Sequence, residues 1–418
     1  MDALSAYIFI AIAFLLLTLF KTGFFLIFAK RYHANHKRLY QKLRSTNTEL
    51  VSVIIPAYNE ELVLEHCLES LLAQTYNQIE IVIVDDGSTD CTKLIAGHYC
   101  AQHKNITYLH KENGGKASAL NHGIAHANGD ILICVDADSA FMSDTVAHIV
   151  RSFQDPTVDA VAGNVRIANR KGFLGNKQAI EYITGLTLQR QAFAALGCIQ
   201  VISGALSAFR RSALTEIGGY SSDTLVEDMD STMALAEKQM RIIYNPKAIA
   251  YTEGPVSWSD LRKQRYRWVF GGFQVVGKYK HMLFNKAYGT MGTIGLPYYA
   301  VFPWIDVLIS SLLLVAIIIA FATNSLLAFA LFFGGMLTLQ ALVISYACRL
   351  DQERYYLVLY GLLSILFYTH LLSFITIQAG VAYLSNQQAS WPKLVRVGAN
   401  AFTESDIETN VAGSKKTA

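Results

Sequence analysis

The sequence predicts an α/β domain, a mostly parallel sheet with helices on both faces, set between membrane-spanning helices. Three observations predict it. Short apolar, β-branched runs alternate with helix-period patterns from about residue 50 to residue 255, as in sheets built from strand–helix–strand units. The excess of apolar residues is gathered at the two ends of the chain, leaving a middle of ordinary globular composition. Acidic residues stand directly after the buried strands, where open α/β sheets bind their ligands.

Composition sets the outer limits. The 418 residues suffice for one large domain or two ordinary ones. Hydrophobic residues make up 52% of the chain and charged residues 16%, which is apolar for a soluble protein. A net charge of +3 is too small to support nucleic-acid binding. The six cysteines form no C-x-x-C pair and no zinc spacing, and read as reduced, mostly buried side chains.

The first element is the apolar run Tyr7 to Phe28, interrupted only by the charge of Lys21. At about 1.5 Å per residue it crosses the ~30 Å hydrocarbon core. A signal peptide fits less well, because the leader is not basic and the run is too long. Six lysines and arginines follow between Lys30 and Arg44. The positive-inside rule places them in the cytoplasm and the N-terminus outside, and a solvated basic linker agrees with the same orientation. The expected boundaries are a span over 1–29 and a basic linker over 30–49.

The sheet domain is expected over 50–257. The run from Val51 to Pro56 is a strand ended by proline, and the helix after it, from about Glu61 to Gln74, has Leu64, Leu68, Leu71 and Leu72 at helical spacing. Ile79–Val84 is the second strand, and the following "DDGSTD" is turn and cap chemistry. A further helix leads to Ile106–His110, the Asn113–Gly115 turn opens a helix from Lys116 to Ala127, and Ile131–Val135 is the fourth strand. Asp85 and Asp86 thus follow the second strand, and Asp136 and Asp138 the fourth.

Each acidic motif has two readings. Asp136 and Asp138 suit a hard divalent cation that completes its shell with phosphate and water, or they form an Asx-turn before the next helix, from Ser143 onward. Glu227 and Asp228 open a helix from Glu227 to Lys238, where carboxylates are stabilised in any case; a carboxylate there also serves as a base within reach of a hydroxyl. Gly114–Lys116 opens a helix, a favourable place for phosphate, but lacks the P-loop pattern. His122 and His126 are spaced i, i+4 without the glutamate of H-E-x-x-H, and read as a solvated helix face.

From Trp258 to Tyr279 aromatic and apolar residues mix with basic ones, as in an interfacial helix, and this segment is expected over 258–298. It contains Gln264, Arg265, Arg267 and Trp268. An aromatic and basic membrane belt would look similar. Three apolar stretches follow, Tyr299 to Ala322, Leu326 to Ala347 and Tyr355 to Leu384. They give three or four spans over 299–385, because the last is long enough for one tilted helix or for a helix with a re-entrant turn. Asp306, Gln340, His370 and Gln378 lie within them, and polar groups at that depth face a bundle interior or a wet path. A polar tail is expected over 386–418, its side of the membrane open; Lys393 and Arg396 favour the inside.

Taken in order, "VIIPAYNEE", "VDDGSTD", "NGGKASALNHGI", "VDADS", "SGALSAFRR", "LVEDMD" and "QRYRW" resemble the processive, membrane-embedded family 2 glycosyltransferases. That group includes cellulose, chitin, hyaluronan and poly-β-1,6-N-acetylglucosamine synthases, and the resemblance covers nearly the whole chain. The single N-terminal span, "GNVRIANRKGFLGNKQAIEYITG" and Glu-Asp in the base motif look most like the bacterial poly-β-1,6-N-acetylglucosamine synthases. The tail "ASWPKLVR" departs from chitin-type endings.

The resemblance implies a Rossmann-like GT-A domain and a hexosyltransferase using Mg²⁺ or Mn²⁺. It implies a UDP-sugar donor, a growing polysaccharide acceptor and a place in the plasma membrane with the catalytic domain in the cytoplasm; a small membrane accessory subunit is a partner it admits. Asp86, with Asp85 and the loop of Pro56, Tyr58 and Glu60, would hold the uridine, and Lys116 would approach the nucleotide. Asp136 would contact the sugar nucleotide, Asp138 the metal, and Asp228 would be the base. Ser203, Gly204 and Glu227 would complete the substrate site, with Gln264, Arg265, Arg267 and Trp268 above it. The competing functions are a synthase of another sugar polymer, a non-processive glycosyltransferase, and a transporter or receptor with a nucleotide-sensing domain. Product size separates a polymer synthase from a non-processive transferase, and absence of UDP release with any sugar nucleotide would favour the transporter or receptor.

Overall fold

The basic stretch after the first apolar run does not break the helix that precedes it. In the computed structural model, which describes residues 3–43, 48–365, 367–387, 395, 396 and 398, helix α1 is continuous over Ala3–Lys42, about 60 Å at 1.5 Å per residue. Its side chains at 3–11, 13 and 14 lie outside the described ones, as does most of the expected tail over 386–418. The basic end of α1 lies against the sheet domain: the Tyr32 hydroxyl donates to the Tyr244 carbonyl, and the Arg151 guanidinium covers the Tyr40 ring at 4.2 Å.

The sheet then builds in order. Strand β1 (Val51–Ala57) is followed by α2 (Leu64–Leu72), β2 (Ile79–Asp85), α3 (Thr92–Gln102), β3 (Ile106–His110), α4 (Lys116–His126), β4 (Ile131–Cys134), β5 (Ser139–Phe141) and α5 (Thr145–Ser152). Next come β6 (Ala160–Ile167), α6 (Gly172–Tyr182), a π-helical stretch (Ile183–Gln189), α7 (Arg190–Ala195), β7 (Ser207–Arg210), α8 (Arg211–Glu216), α9 (Glu227–Glu237) and β8 (Ile242–Thr252). The order across the sheet is β3-β2-β1-β4-β7-β6-β8-β5. Successive residues feed opposite faces, as the period of two requires: Val53 and Ile55 pack with Ile81, Ile83 and Leu68, and Ile54 with Val82, Val84 and Leu132.

The expectation of a mostly parallel sheet describes the first half, where β1 pairs parallel with β2 and β4, and β2 with β3. The second half is mixed. β7 runs antiparallel to both β4 and β6, and β5 antiparallel to β8, while β6 and β8 are parallel. The cause is the excursion through α6 and α7, which pack against α13 (Leu357–Ser364) and α1. An antiparallel neighbour begins at the end where the preceding strand stops, so this excursion needs no return crossover.

Helix α10 (Trp258–Lys278) starts where Ser257 accepts the Asp260 amide at 3.1 Å and donates to its carboxylate at 2.8 Å, a reciprocal cap. A π-helical turn at Met291 leads into α11 (Leu296–Ala322), and α12 (Leu326–Leu350) follows; both are long and apolar enough to cross a membrane. The third apolar stretch is a bent pair, α13 and α14 (Tyr368–Leu384), at 55° to each other. Both ends of the pair return to the sheet domain. Before it, Arg166 donates to the Asp351 carboxylate at 2.9 Å and Arg170 forks onto Glu353 at 2.6 and 2.8 Å. After it, Arg396 contacts Glu60 and Asp138. Both described flanks of the pair thus lie against the sheet domain, as in a re-entrant hairpin. Gly380 permits the hairpin's close approach to α11, since a Cβ there would meet the Trp304 ring at 2.5 Å.

Candidate active site

The acids at the ends of the strands separate into those that brace loops and those that face a common space. Asp85, at the end of β2, is buried and accepts from the Ser88 amide at 2.8 Å, the Tyr108 hydroxyl at 2.6 Å and His110 at 3.3 Å. Asp86 takes the Lys111 ammonium at 2.6 Å and the amides of Gly114 and Gly115 at 3.0 and 2.8 Å. The two carboxylates hold the β2 turn and the loop that opens α4 as one body. Pro56 pairs with Val84 inside β1, Tyr58 is exposed on the loop beyond, and Glu60 on that loop meets Arg396.

A second group gathers around Lys116, the first residue of α4. Its ammonium lies 2.5 Å from Asp136 Oδ1 and 2.7 Å from Glu227 Oε1, joining the end of β4 to the start of α9. Asp228, next in α9, accepts its neighbour Met229's amide at 2.8 Å and the Gly204 amide at 3.2 Å. Gly204 leaves room for the Lys116 ammonium, which would lie 2.7 Å from a Cβ there. Ser203 leads into Gly204, its carbonyl accepting the Leu206 amide. Asp138 is buried, with Thr252 of β8 donating to it at 3.2 Å. The structure thus brings Asp136, Asp138, Lys116, Gly204, Glu227 and Asp228 together.

The local charges separate these carboxylates. Burial would raise Asp136, but the ammonium of Lys116, helped by Arg396 and Arg267, holds it below the ordinary carboxylate range. Burial and the charge of Asp136 hold Asp138 above that range, against the pull of Arg396. Asp228 is raised by burial and by the charge of Glu227, while Lys116 and the two amides hold part of the rise back. A raised carboxylate that is still ionised near neutrality is a better base than an ordinary one. Lys116→Met removes a charge that lowers Asp228, so the acidic limb of a pH–rate profile is expected to move to higher pH. A profile of kcat/KM against pH checks this, and an unmoved limb would separate Lys116 from the base.

Helix α10 supplies the cover. Arg265 is buried, donates to Glu181 at 3.0 Å and lies 4.1 Å over the Trp268 ring, and it also holds Gln264 at 2.6 Å. Arg265 therefore positions Trp268. Arg267 donates to the Leu225 carbonyl at 3.3 Å, and its charge helps lower Asp136. Trp268 and Arg265 line a cavity of about 690 Å³ that extends past Glu181 and Tyr368 to Lys21, Asp306 and Gln340 among the apolar helices.

Asp136 and Asp138 are the carboxylates that would hold a cation. Among the described residues no three or more His, Cys, Asp or Glu gather as a metal cage. Mg²⁺ and Mn²⁺ shared with a diphosphate do not require one, since one or two carboxylates suffice when phosphate oxygens complete the shell. The oxygen donors present fit that chemistry. His122 and His126 have rings 4.6 Å apart with no such group around them.

The sequence reading passed over Lys111, Tyr108 and Glu181, and took Arg396 only as a sign of sidedness. Lys111 and Tyr108 carry no motif of their own. Glu181 lies just before the π-helical stretch, a feature frequent at functional sites that leaves no trace in hydrophobic period.

Residues 52–218 match the family described as Glycosyl transferase family 2. The chain is 33% identical over 270 residues to a poly-β-1,6-N-acetyl-D-glucosamine synthase of Staphylococcus aureus, covering 64% of this chain and 63% of that protein. A protein of the same description from Staphylococcus epidermidis is 33% identical over 243 residues, or 58% and 59% of the two chains. The match thus spans a little under two thirds of these relatives' length. Among solved structures, a mannosyltransferase from Pyrobaculum calidifontis in complex with GDP-Man and Mn²⁺ superimposes with a TM-score of 0.60 at 24% identity, over 91% of this chain and 99% of that one. That likeness shows the fold, a Rossmann-like GT-A domain followed by apolar helices.

Proposed function

We propose that this chain, which carries a family 2 glycosyltransferase domain, polymerises N-acetylglucosamine from UDP-N-acetylglucosamine with inversion and passes the polysaccharide across the plasma membrane. The observation that carries the reading is the cavity that begins at Arg265 and Trp268 on α10 and runs among the apolar helices to Asp306 and Gln340. Arg267, next to Trp268 on the same helix, helps lower Asp136 by its charge. The similarity to poly-β-1,6-N-acetyl-D-glucosamine synthases supports the choice of sugar.

The chemistry follows from the groups in place. Asp228 takes the proton of an acceptor hydroxyl as its oxygen bonds to the anomeric carbon. The bond from that carbon to the diphosphate oxygen breaks, and UDP leaves with the electron pair. Attack from the face opposite the leaving group inverts the centre. Arg267 would stabilise the negative charge that grows on the diphosphate, and a fixed positive group is worth most in a site that excludes water. Asp138, with Asp136, would hold Mg²⁺ or Mn²⁺, which neutralises phosphate charge when bound. Lys116 keeps Asp136 and Glu227 in register with the base.

Trp268 offers a ring face on which a terminal sugar packs, its other face being covered by Arg265. Trp268→Ala is expected to bind UDP normally and to make little long polymer, through weaker binding of the acceptor. Trp268→Phe is expected to keep part of the activity. Sizing of the product checks both.

The test of the function is incubation of the purified chain with single UDP-sugars and Mg²⁺, followed by product sizing and linkage analysis. Long polymer from UDP-N-acetylglucosamine is the expected result. A single added sugar would make the chain a non-processive transferase, and no UDP release from any donor would overturn the reading.

A further inference from the structure

The transfer chemistry leaves the third acid of the stretch from Glu227 to Asp230 unused. Asp228 and Asp230 stand two residues apart in α9, about 200° round the helix axis. Asp228 turns to the Gly204 amide, and Asp230 turns away from it, toward the end of α10. There the Asp230 side chain, 1% exposed, accepts the Lys278 ammonium at 3.0 Å on each oxygen, the Tyr279 hydroxyl at 2.8 Å and the Thr224 hydroxyl at 3.1 Å. Lys278 also donates to Ser221 at 3.2 Å and Asp223 at 2.9 Å, on the loop before α9. That contact is the last of a row. Arg267 donates to the Leu225 carbonyl at 3.3 Å, and Gln274 accepts the Leu225 amide at 2.9 Å. Gly271 lies between them, where a Cβ would meet the Val226 methyls at 2.8 Å. Positions 267, 271, 274 and 278 are spaced i, i+4, i+7 and i+11, which is one face of a helix. A single face of α10 therefore clasps the chain from Ser221 to Asp230, and the Leu225 side chain packs in the cluster around Phe270 of the same helix.

We propose that Asp230 and Lys278 are positioning residues, whose ion pair closes the far end of this clasp and so fixes the base Asp228 relative to Arg267 and Trp268 on α10. The inference rests on the reading of Asp228 as the base. A carboxylate buried as deeply as Asp230 keeps its charge only while it is paired, and the arm from Lys278 to the exposed Asp223 contributes little. Without the pair the start of α9 is free to move against α10. The base then shifts relative to an acceptor seated on Trp268, and a misplacement of about 1 Å is enough to cost ~10²-fold in rate. Water is small and approaches from several directions, so hydrolysis of the donor suffers less than transfer to a sugar hydroxyl held on a ring. The pair therefore governs how the donor is partitioned between transfer and hydrolysis.

Two measurements on the full chain in detergent test this. The first counts sugar transferred per UDP released from UDP-N-acetylglucosamine, a ratio from which the folded fraction cancels. Lys278 is 32% exposed, so Lys278→Met is expected to fold. The ratio is expected to fall on the order of tenfold in Lys278→Met and in Asp230→Asn, with the double variant no lower than either, as for two groups acting through one contact. A ratio equal to that of the wild type, with only the number of active molecules reduced, would make the pair a structural contact and overturn the proposal. So would a double variant that loses both factors. The second measurement is amide hydrogen exchange of the peptide covering residues 221–230, with no nucleotide present. Local opening is expected to speed exchange there in Lys278→Met while the sheet strands keep their protection, and exchange equal to that of the wild type overturns the clasp. A wild type that releases no UDP fails the proposed function, whereas the exchange measurement still decides whether α10 holds the start of α9.

Discussion

Asp228→Asn is expected to bind UDP like the wild type and to make no detectable polymer. The substitution keeps the shape of the side chain and one acceptor for the amides of Met229 and Gly204, but turns the other oxygen into a donor and removes the basicity that takes the proton. Loss of a positioned base costs ~10²–10⁴-fold in rate, or about 3–5 kcal/mol of barrier. The nucleotide end of the site, around Asp86 and Asp138, is untouched, so binding and turnover should separate. UDP affinity by calorimetry, together with incorporation of labelled sugar, checks the result. Near-normal synthesis would leave Asp228 only as a carboxylate at a helix start.

Arg166→Met is expected to destabilise the chain by about 3–5 kcal/mol, the cost of leaving one member of a buried ion pair alone. Arg166 is 7% exposed and Asp351 4%. The pair ties β6 to the turn between α12 and α13, with Asn164 donating to the same carboxylate at 2.7 Å. Burial already raises the Asp351 carboxyl against the pull of Arg166, so losing the arginine drives it toward its neutral form. Thermal unfolding in detergent should fall sharply for the single variant. It should recover in Arg166→Met/Asp351→Leu, where neither charge remains. A single variant as stable as the wild type would show that the turn is held by Arg170 and Glu353 alone.

The first half of the sheet was legible because its strands are buried on both faces and separated by helices of ordinary length. Asp136, Asp138 and Asp228 were legible for a related reason: each follows a strand or opens a helix, and such ends are where open sheets do chemistry. The second half was not. β5 and β7 are three and four residues long, too short for a period, and β7 follows helices committed to another layer. Asp85 and Asp86 are expected to hold uridine, and the structure adds that they brace the β2 turn and the loop that opens α4. The contacts least visible in the sequence join positions far apart: Arg396 and Asp138 are separated by 258 residues, Arg166 and Asp351 by 185. Nothing local marks either member, and only the hairpin between them brings the tail back to the sheet.

The unbroken helix Ala3–Lys42 has a mechanical consequence. It is a beam without a joint, its apolar half set among α11 and α12 and its basic half bonded to the sheet through Tyr32. We propose the apolar half as a membrane span, and a spanning helix adjusts to bilayer thickness by tilting. With no hinge between, that tilt reaches the sheet and changes the angle at which Trp268 meets the cavity. Turnover is therefore expected to vary with acyl-chain length in nanodiscs of otherwise equal composition. Insertion of two glycines between Lys30 and Arg31 should flatten that dependence, and a profile unchanged by the insertion would show that the beam carries no load.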